Sequence, residues 1–106
     1  MIITTTPTIE GHTIREYKGI VTGETIIGAN FIKDIKANLR DFFGGRSNSY
    51  EQVLIESKDT SMQEMTNRAI AMGANAIVGV DIDYETVGNT GSMLMVATSG
   101  TAVVID

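Results

Sequence analysis

The stretch Met93–Ile105, with the sequence MLMVATSGTAVVI, decides the fold because it is a strand candidate that is apolar on both faces. Successive side chains of a strand point to opposite faces. One face carries Met93, Met95, Ala97 and Val103, and the other carries Leu94, Val96, Ala102 and Val104. A strand of this kind requires cover on both sides, so the pattern predicts a position at the centre of a sheet.

Two further strand candidates are predicted to lie beside this central strand. The segment 14–27 is mixed in polarity on both sides, which suits an outer strand, and Gly19 and Gly23 allow a bulge in it. The segment 76–85 alternates between apolar and acidic residues. Its predicted apolar face carries Ala76, Val78, Val80, Ile82 and Tyr84, and its acidic face carries Asp81, Asp83 and Glu85.

Two helices are predicted between the first and second of these strands. The first begins at the N-cap candidate Asn30 and ends at Gly44-Gly45. The second begins at Ser49, which forms a capping-box pattern with Gln52, and ends at Gly73. Its predicted buried stripe consists of Tyr50, Leu54, Met62, Met65, Ala69 and Met72. Thr60-Ser61 interrupts this stripe and indicates a bend or a change of packing partner.

These elements predict an α+β fold with two layers, in which two helices cover one face of a three-stranded sheet. The central strand would then leave its second apolar face uncovered, and the chain has no further segment to build another layer. The economical cover is another copy of the chain. The pattern therefore predicts a homo-oligomer.

Composition excludes several classes of function. A length of 106 residues predicts a single domain over residues 1–106. The formal net charge of −5 disfavours nucleic-acid binding, and the absence of Cys excludes disulfides, zinc fingers and thiol catalysis. The N-terminus lacks the pattern of a signal peptide, which predicts a cytoplasmic protein. Residues 86–105 are uncharged, but polar residues and glycines interrupt them, so no membrane span is predicted.

Three segments carry a resemblance to a known family. They are Gly73-Ala74-Asn75-Ala76-Ile77-Val78-Gly79-Val80-Asp81-Ile82-Asp83-Tyr84-Glu85, Gly44-Gly45-Arg46-Ser47 followed by Ser49-Tyr50-Glu51, and Met93-Leu94-Met95-Val96 followed by Ser99-Gly100-Thr101-Ala102-Val103. Together with Gly28-Ala29-Asn30 they span nearly the whole chain, which resembles the YbjQ-like proteins.

The resemblance implies a dodecin-like subunit with the order β-α-α-β-β and an antiparallel sheet. It also implies a ring-shaped homopentamer in which short extra strands join the subunits, and Ile2–Thr5 is the segment expected to do so. The family is labelled heavy-metal-binding, and no activity comes with the resemblance. Because this chain has no Cys and one His, the soft ligands for such a metal are missing apart from Met.

The acidic face of segment 76–85 is the candidate metal site. Asp81, Asp83 and Glu85 follow one another at intervals of about 6.6 Å on one side of the strand. Clustered carboxylate oxygens are the ligands of hard divalent cations. The alternative is an ordinary solvated strand face beside a hairpin.

The connection between the two predicted helices is the candidate ligand site. Backbone amides at the start of a helix, with Arg46, Ser47, Ser49 and Tyr50 beside them, form a plausible anion or phosphate site. The alternative is plain helix capping by glycine and serine, which accounts for all of these residues except Arg46 and Tyr50.

The remaining candidates have simpler structural interpretations. Five internal methionines could bind Cu(I) through their thioethers, but methionine is a common filler of irregular cores. His12 lacks an orienting partner in the sequence, which favours a surface residue. A flavin site by analogy with dodecins would require stacking on Tyr17, Tyr50 or Tyr84.

The leading hypothesis is therefore a non-enzymatic, homopentameric assembly that binds a small ligand or an ion. The alternative is a divalent-metal-binding protein or a metal-dependent enzyme that uses Asp81, Asp83 and Glu85. No cofactor other than such a metal is predicted. The expected partner is another copy of the chain, and neither nucleic acid nor membrane is expected.

Overall fold

The computed structural model describes residues 1–28, 48–88 and 93–106. Within them, β1 (Ile2–Ile3) and β2 (Ile14–Ile27) precede helix α1 (Asn48–Ala71), which is followed by β3 (Ala76–Val87) and β4 (Met93–Ile105). The result is a mixed α+β fold with one described helix. The helix predicted from Asn30 to Gly44-Gly45 lies outside the described residues.

The sheet has four strands in the order β1-β3-β4-β2. Strand β4 pairs antiparallel with β2 and with β3, so the predicted central position of the doubly apolar strand is confirmed. The prediction of three strands is wrong by one. Ile2 and Ile3 pair in parallel with Ala76 and Ile77 of the same chain, and Thr4 continues this edge by donating its N–H to Ile77 O over 2.9 Å.

A bulge in β3 overturns the predicted alternation of that strand. Val78 pairs with Thr101, and Asp81 pairs with Ser99. Between these two pairs β3 contains one more residue than β4. Gly79 absorbs the extra residue at φ +62°, in the left-handed region that glycine tolerates. Consequently Ala76 and Val78 lie on one face, whereas Val80, Ile82 and Tyr84 lie on the other.

Helix α1 is continuous through Thr60-Ser61, so the interruption of its apolar stripe is a change of packing partner rather than a break. Met65 and Ala69 are fully buried, as predicted, whereas Met72 is 36% exposed at the end of the helix. Gly73, at φ +86°, follows the last turn, and Ala74 N–H donates to Ala69 O over 3.0 Å. Among the described residues, no helix combines the length and the apolar character needed to cross a bilayer.

Two apolar clusters lie on opposite faces of the sheet. The helix-side cluster consists of Val21, Met65, Ala69, Ala74, Ile77, Val80 and Ala102. The second cluster consists of Ala76, Val78, Val103 and Ile105, packed against Ile9 and Ile14. The expectation that only another copy of the chain could cover this second face is therefore wrong at one end of the sheet, where the chain's own residues 9 and 14 cover it.

The other end of this second face is open. Ile20 and Ile26 of β2 are 82% and 61% exposed there, and their pairing partners on β4 are Thr101 and Met95. We call the side of the sheet opposite α1, from the row of Ile20 to the row of Ile26, the open face.

Candidate functional site

The acidic residues of β3 lie on the open face. Asp81, Asp83 and Glu85 pair with Ser99, Ala97 and Met95 of β4. The neighbouring residue Thr98 points the other way, because its hydroxyl lies 3.1 Å from Ser61 Oγ of the helix. Paired residues share a face. The three carboxylates therefore form a row on the side of the sheet opposite the helix.

Two of these three carboxylates interact directly. A side-chain hydrogen bond with Asp81 raises the pKa of Asp83, and the negative charges of Asp81 and Glu85 raise it further. Neighbouring carboxylates compete for one proton because their like charges repel. Among residues 1–28, 48–88 and 93–106, however, no group of three or more His, Asp or Glu side chains is arranged so that it could hold a metal ion. The strand thus brings two of the predicted ligands together without completing a site among the described residues.

The predicted ligand site is only partly within the described residues. Arg46 and Ser47 lie outside them, and Ser49 and Tyr50 belong to the first turn of α1. Sequence reasoning missed a cleft of about 240 Å³ between β2 and α1, lined by Thr25, Ile27, Val53, Glu56, Ser57 and Thr60. The Thr25 hydroxyl oxygen is buried beside this cleft without a hydrogen-bond partner in the described chain. Ile26 is exposed on the open face, so its neighbours Thr25 and Ile27 face the helix side, where this cleft lies.

His12 has a structural partner that the sequence did not reveal. Its Nδ1–H donates to the backbone carbonyl oxygen of Asp106 over 2.7 Å. The Asp106 carboxylate accepts the Thr13 N–H at 2.8 Å and Arg15 Nη2–H at 3.0 Å. The Thr13 bond, aided by Arg15 and His12, lowers the pKa of Asp106. This cluster fastens the end of β4 to the start of β2, so His12 contributes to packing rather than to a site.

Arg68 joins the helix to the outer strand in a similar way. It donates to Glu24 Oε2 at 2.9 Å and to the backbone oxygen of Thr22 at 2.8 Å, and it also pairs with Glu64 one turn earlier in α1. The bond from Arg68 lowers the pKa of Glu24. Both carboxylates of this cluster are engaged by Arg68, so the cluster is a structural contact between helix and strand.

The two tyrosines whose side chains the structure describes do not form a stacking site. Tyr17 pairs with Val103, which belongs to the cluster opposite the helix. Tyr84 pairs with Val96, which lies on the helix side of the sheet. The rings therefore lie on opposite sides of the sheet.

A four-stranded sheet with a helix on one side and an acidic, partly uncovered face on the other defines a small α+β protein. A family model described as "Putative heavy-metal-binding", YbjQ_1, matches residues 1–106, and the chain belongs to this family. The resemblance found in the sequence is thereby confirmed.

The relatives and a solved structure agree with this assignment. The chain is 66% identical over 103 residues to a UPF0145 protein of Clostridium botulinum (strain Alaska E43), covering 97% of each chain. It is 64% identical over 106 residues to a UPF0145 protein of Acetivibrio thermocellus, covering all of both. A crystal structure of a DUF74-family protein from Pediococcus pentosaceus matches with a TM-score of 0.59 and 25% identity, covering 100% of this chain and 98% of that one.

This chain offers few of the ligands that heavy metals usually take, which are thiolate and imidazole. The chain contains no Cys, and the nitrogen Nδ1 of its single His is bonded to Asp106. Soft metals prefer sulfur, and thioethers are the only sulfur present. Carboxylates such as Asp81 and Asp83 suit hard cations instead.

Proposed function

We propose that this protein is a non-catalytic, self-assembling binding module whose assembly surface is the open face. The observation that carries the proposal is the exposure of Ile20 and Ile26, at 82% and 61%, on a side of the sheet with no described layer above it. Large apolar side chains grouped on one face indicate an interaction surface. Ile26 is grouped with its pairing partner Met95, whereas Ile20 lies three rows away on the same face, beyond Thr22 and Glu24.

The energetics favour burial of this surface. Fully burying one isoleucine side chain contributes about 1.5–3 kcal/mol. Met95 lies next to Ile26, and Ala97 follows on the same face, so apolar contact would extend across two strands. A second copy would bring the same residues, which suits a symmetric assembly.

The finer features of the proposal come from the family resemblance. They are a dodecin-like subunit and a ring of five copies. A cytoplasmic location is a separate part of the proposal and does not come from the resemblance. The first predicted helix, from Asn30 to Gly44-Gly45, also belongs to this proposal, on the same face as α1. The row of acidic residues bordering the open face would meet like charges in a symmetric contact, which favours an arrangement that offsets the rows.

Light scattering after gel filtration tests the assembly. We expect a mass near five subunits for the wild type and a smaller mass for Ile20→Lys and Ile26→Lys, because a buried lysine charge is strongly unfavourable. The matched controls are Ile55→Lys and Ile70→Lys, which alter exposed isoleucines of the helix and should keep the wild-type mass. A wild-type mass of one subunit at high concentration would refute the proposal.

A second candidate function is the binding of a divalent cation by Asp81, Asp83 and Glu85. The contact between Asp81 and Asp83 that raises the pKa of Asp83 favours it, because a cation can replace the proton over which the two carboxylates compete. A copy of the chain would supply the further ligands that one chain does not gather.

Calorimetric titration with Ca²⁺ and with Mn²⁺ tests this second candidate. The wild type should bind, and the double variant Asp81→Asn, Asp83→Asn should not. Asp59→Asn removes an exposed carboxylate from the helix and serves as the matched control. Equal heats for the wild type and the double variant would end this candidate without affecting the assembly.

A further inference from the structure

We propose that the outer edge of β3 binds an extended peptide whose residues alternate between basic and apolar. The N-terminal segment supplies backbone partners along this edge as far as Val80, whose N–H donates to Thr4 O over 3.1 Å. From Asp81 to Val87, β3 pairs with β4 on its inner side, and no strand within the described ranges pairs with its outer side. Such an edge presents backbone N–H and C=O groups with which an added strand can pair.

A groove of about 390 Å³, which we call the edge groove, lies beside this edge on the helix side, between the sheet and α1. Its apolar surface comes from Ile3 of β1, Met62 of α1 and Ile82 of β3, all of which are half-buried. Tyr84, two positions after Ile82 on the same side, is 47% exposed. Because opposed residues of paired strands share a face, an added strand would place every second side chain over this groove.

The polar side chains that line the edge groove are already bonded within α1. The Thr66 hydroxyl donates to the backbone oxygen one turn earlier over 2.7 Å, and Gln63 Nε2–H donates to Asn67 Oδ1 over 2.9 Å. Lys58 and Asp59 pair with each other at 3.6 Å. An incoming polar group would have to compete with these bonds, so the groove favours an apolar side chain.

The opposite side of the same edge favours basic side chains. Asp81, Asp83 and Glu85 alternate along it, and all three are exposed. The residues of an added strand that lie opposite them would meet a row of negative charge, and opposite charges across a strand pair are stabilising. The two sides of the edge together therefore select a segment in which lysine or arginine alternates with valine, isoleucine or leucine.

The charges favour a separate peptide over a second copy of the chain. Two copies that paired through this edge into one continuous sheet would bring their acidic rows together on one face, which is destabilising. The other outer strand, β2, carries Arg15 and Lys18. These two side chains are paired with Asp106 and Glu16 of their own chain, at 3.0 and 2.9 Å. The peptide site requires neither the assembly through the open face nor the divalent site.

Fluorescence anisotropy with synthetic peptides tests the site. The probe is the fluorescein-labelled peptide Lys-Val-Lys-Val-Lys-Val-Lys, which matches Asp81–Val87 in length. We expect saturable binding that weakens as the salt concentration is raised, because the acidic row is exposed. An analogue with glutamate in place of every lysine should not bind. Absence of saturable binding by the lysine peptide, or equal binding of the glutamate analogue, would overturn the proposal.

Backbone methylation separates strand addition from attraction between charges alone. Along an added strand, alternate N–H groups point towards the neighbouring strand and the others point away from it. Methylating the valine nitrogens or the lysine nitrogens of the peptide backbone therefore gives two matched probes of equal charge. One of them should bind like the parent peptide and the other at least about tenfold more weakly. Equal affinities of the two methylated peptides would contradict pairing with β3.

Gln63→Arg and Asn67→Arg locate the binding site on the chain. Both residues are exposed on α1, they are bonded to each other, and both variants add the same charge, but only Gln63 lines the edge groove. Gln63→Arg should weaken binding of the lysine peptide at least about tenfold, whereas Asn67→Arg should bind it as the wild type does. Equal affinities of these two variants would refute the assignment. Ile20→Lys and Ile26→Lys, which are expected to disrupt the assembly, should leave peptide binding unchanged, so failure of the assembly and failure of this site are distinguishable.

Discussion

Ser61 Oγ donates a hydrogen bond to the backbone oxygen of Gly23 over 2.8 Å, at a point where the helix backbone lies directly against strand β2. A Cβ atom placed on Gly23 would come within 2.0 Å of Ser61 O. The hydroxyl of Thr98 joins the same contact, 3.1 Å from Ser61 Oγ. This polar contact is buried between the helix and the sheet. It sets the distance between the helix and the sheet.

We expect Gly23→Ala to be among the most destabilising small changes in the chain. The added methyl overlaps backbone atoms, which cannot rotate away, so helix and strand must separate. Overpacking of a well-packed core costs about 1–3 kcal/mol and more where backbone must move. Urea denaturation measures the loss. Gly28→Ala is the control, since no atom of residues 1–28, 48–88 and 93–106 lies within 4 Å of the position that its Cβ would take.

Ser61→Ala should destabilise the protein by about 1–3 kcal/mol, because it removes a buried donor from the Gly23 carbonyl and a partner from Thr98. Thermal unfolding provides the measurement. Ser57 offers a matched comparison, since it is buried on the same helix but bonds only to Val53 O of the preceding turn. Ser57→Ala should be nearly neutral. Equal losses of stability for Ser61→Ala and Ser57→Ala would show that the hydrogen bond from Ser61 to Gly23 does not stabilise the protein.

Gly79→Ala tests the bulge. No atom lies within 4 Å of the position that the added Cβ would take, so the cost arises from the positive φ of +62° alone. A left-handed conformation costs an alanine about 1–2 kcal/mol, whereas asparagine adopts it more readily. The free energy of unfolding should therefore decrease in the order Gly, Asn, Ala. An alanine variant as stable as the wild type would mean that β3 can be realigned without a bulge.

Asp106→Asn should destabilise the protein at neutral pH and lose its effect in acid. The bond from Thr13 N–H lowers the pKa of Asp106, so the folded state favours the charged carboxylate. The contribution of this ionised carboxylate to the free energy of unfolding is fully present above the ordinary carboxyl pKa of about 3.9. It is lost as the pH falls through the lowered pKa. Melting temperatures of both proteins from pH 7 to pH 2 should converge.

Arg15→Gln provides the control for this pH dependence. It removes a smaller influence on Asp106 and leaves the Thr13 bond intact, so most of the pH-dependent difference should remain. A gap between wild type and Asp106→Asn that stays constant over the whole pH range would contradict the assignment.

Periodicity was a good guide to this fold where the chain is regular. The two apolar faces of segment 93–105 predicted its central position, and the capping residues predicted the bounds of the long helix to within about two residues. Alternation failed in β3 because one glycine in the left-handed region turns the remaining strand over. The interruption at Ser61 indicated a bend or a change of packing partner, and the structure shows the second of these. The partner, Gly23, could not be named from the sequence because it lies 38 positions away.

The candidate site was predictable to a similar extent. The spacing of Asp81, Asp83 and Glu85 predicted a common face, and the strand pairing agrees with it. Spacing alone could not show that Asp81 acts on the pKa of Asp83 more strongly than Glu85 does, because side-chain convergence depends on rotamers and on neighbouring strands. The bonds from His12 to Asp106 and from Arg68 to Glu24 were likewise not predictable, since each joins residues more than forty positions apart.

Apolar clusters cover both sides of the sheet at the end that holds Ala76 and Val103. At the end that holds Glu85 and Met95, the described residues cover only the helix side. The protein is therefore graded along its strands rather than uniform. Under mild denaturant, the tips of β3 and β4 beyond the bulge should loosen first, while the doubly covered end keeps its amide protons from exchanging with solvent until the whole chain unfolds.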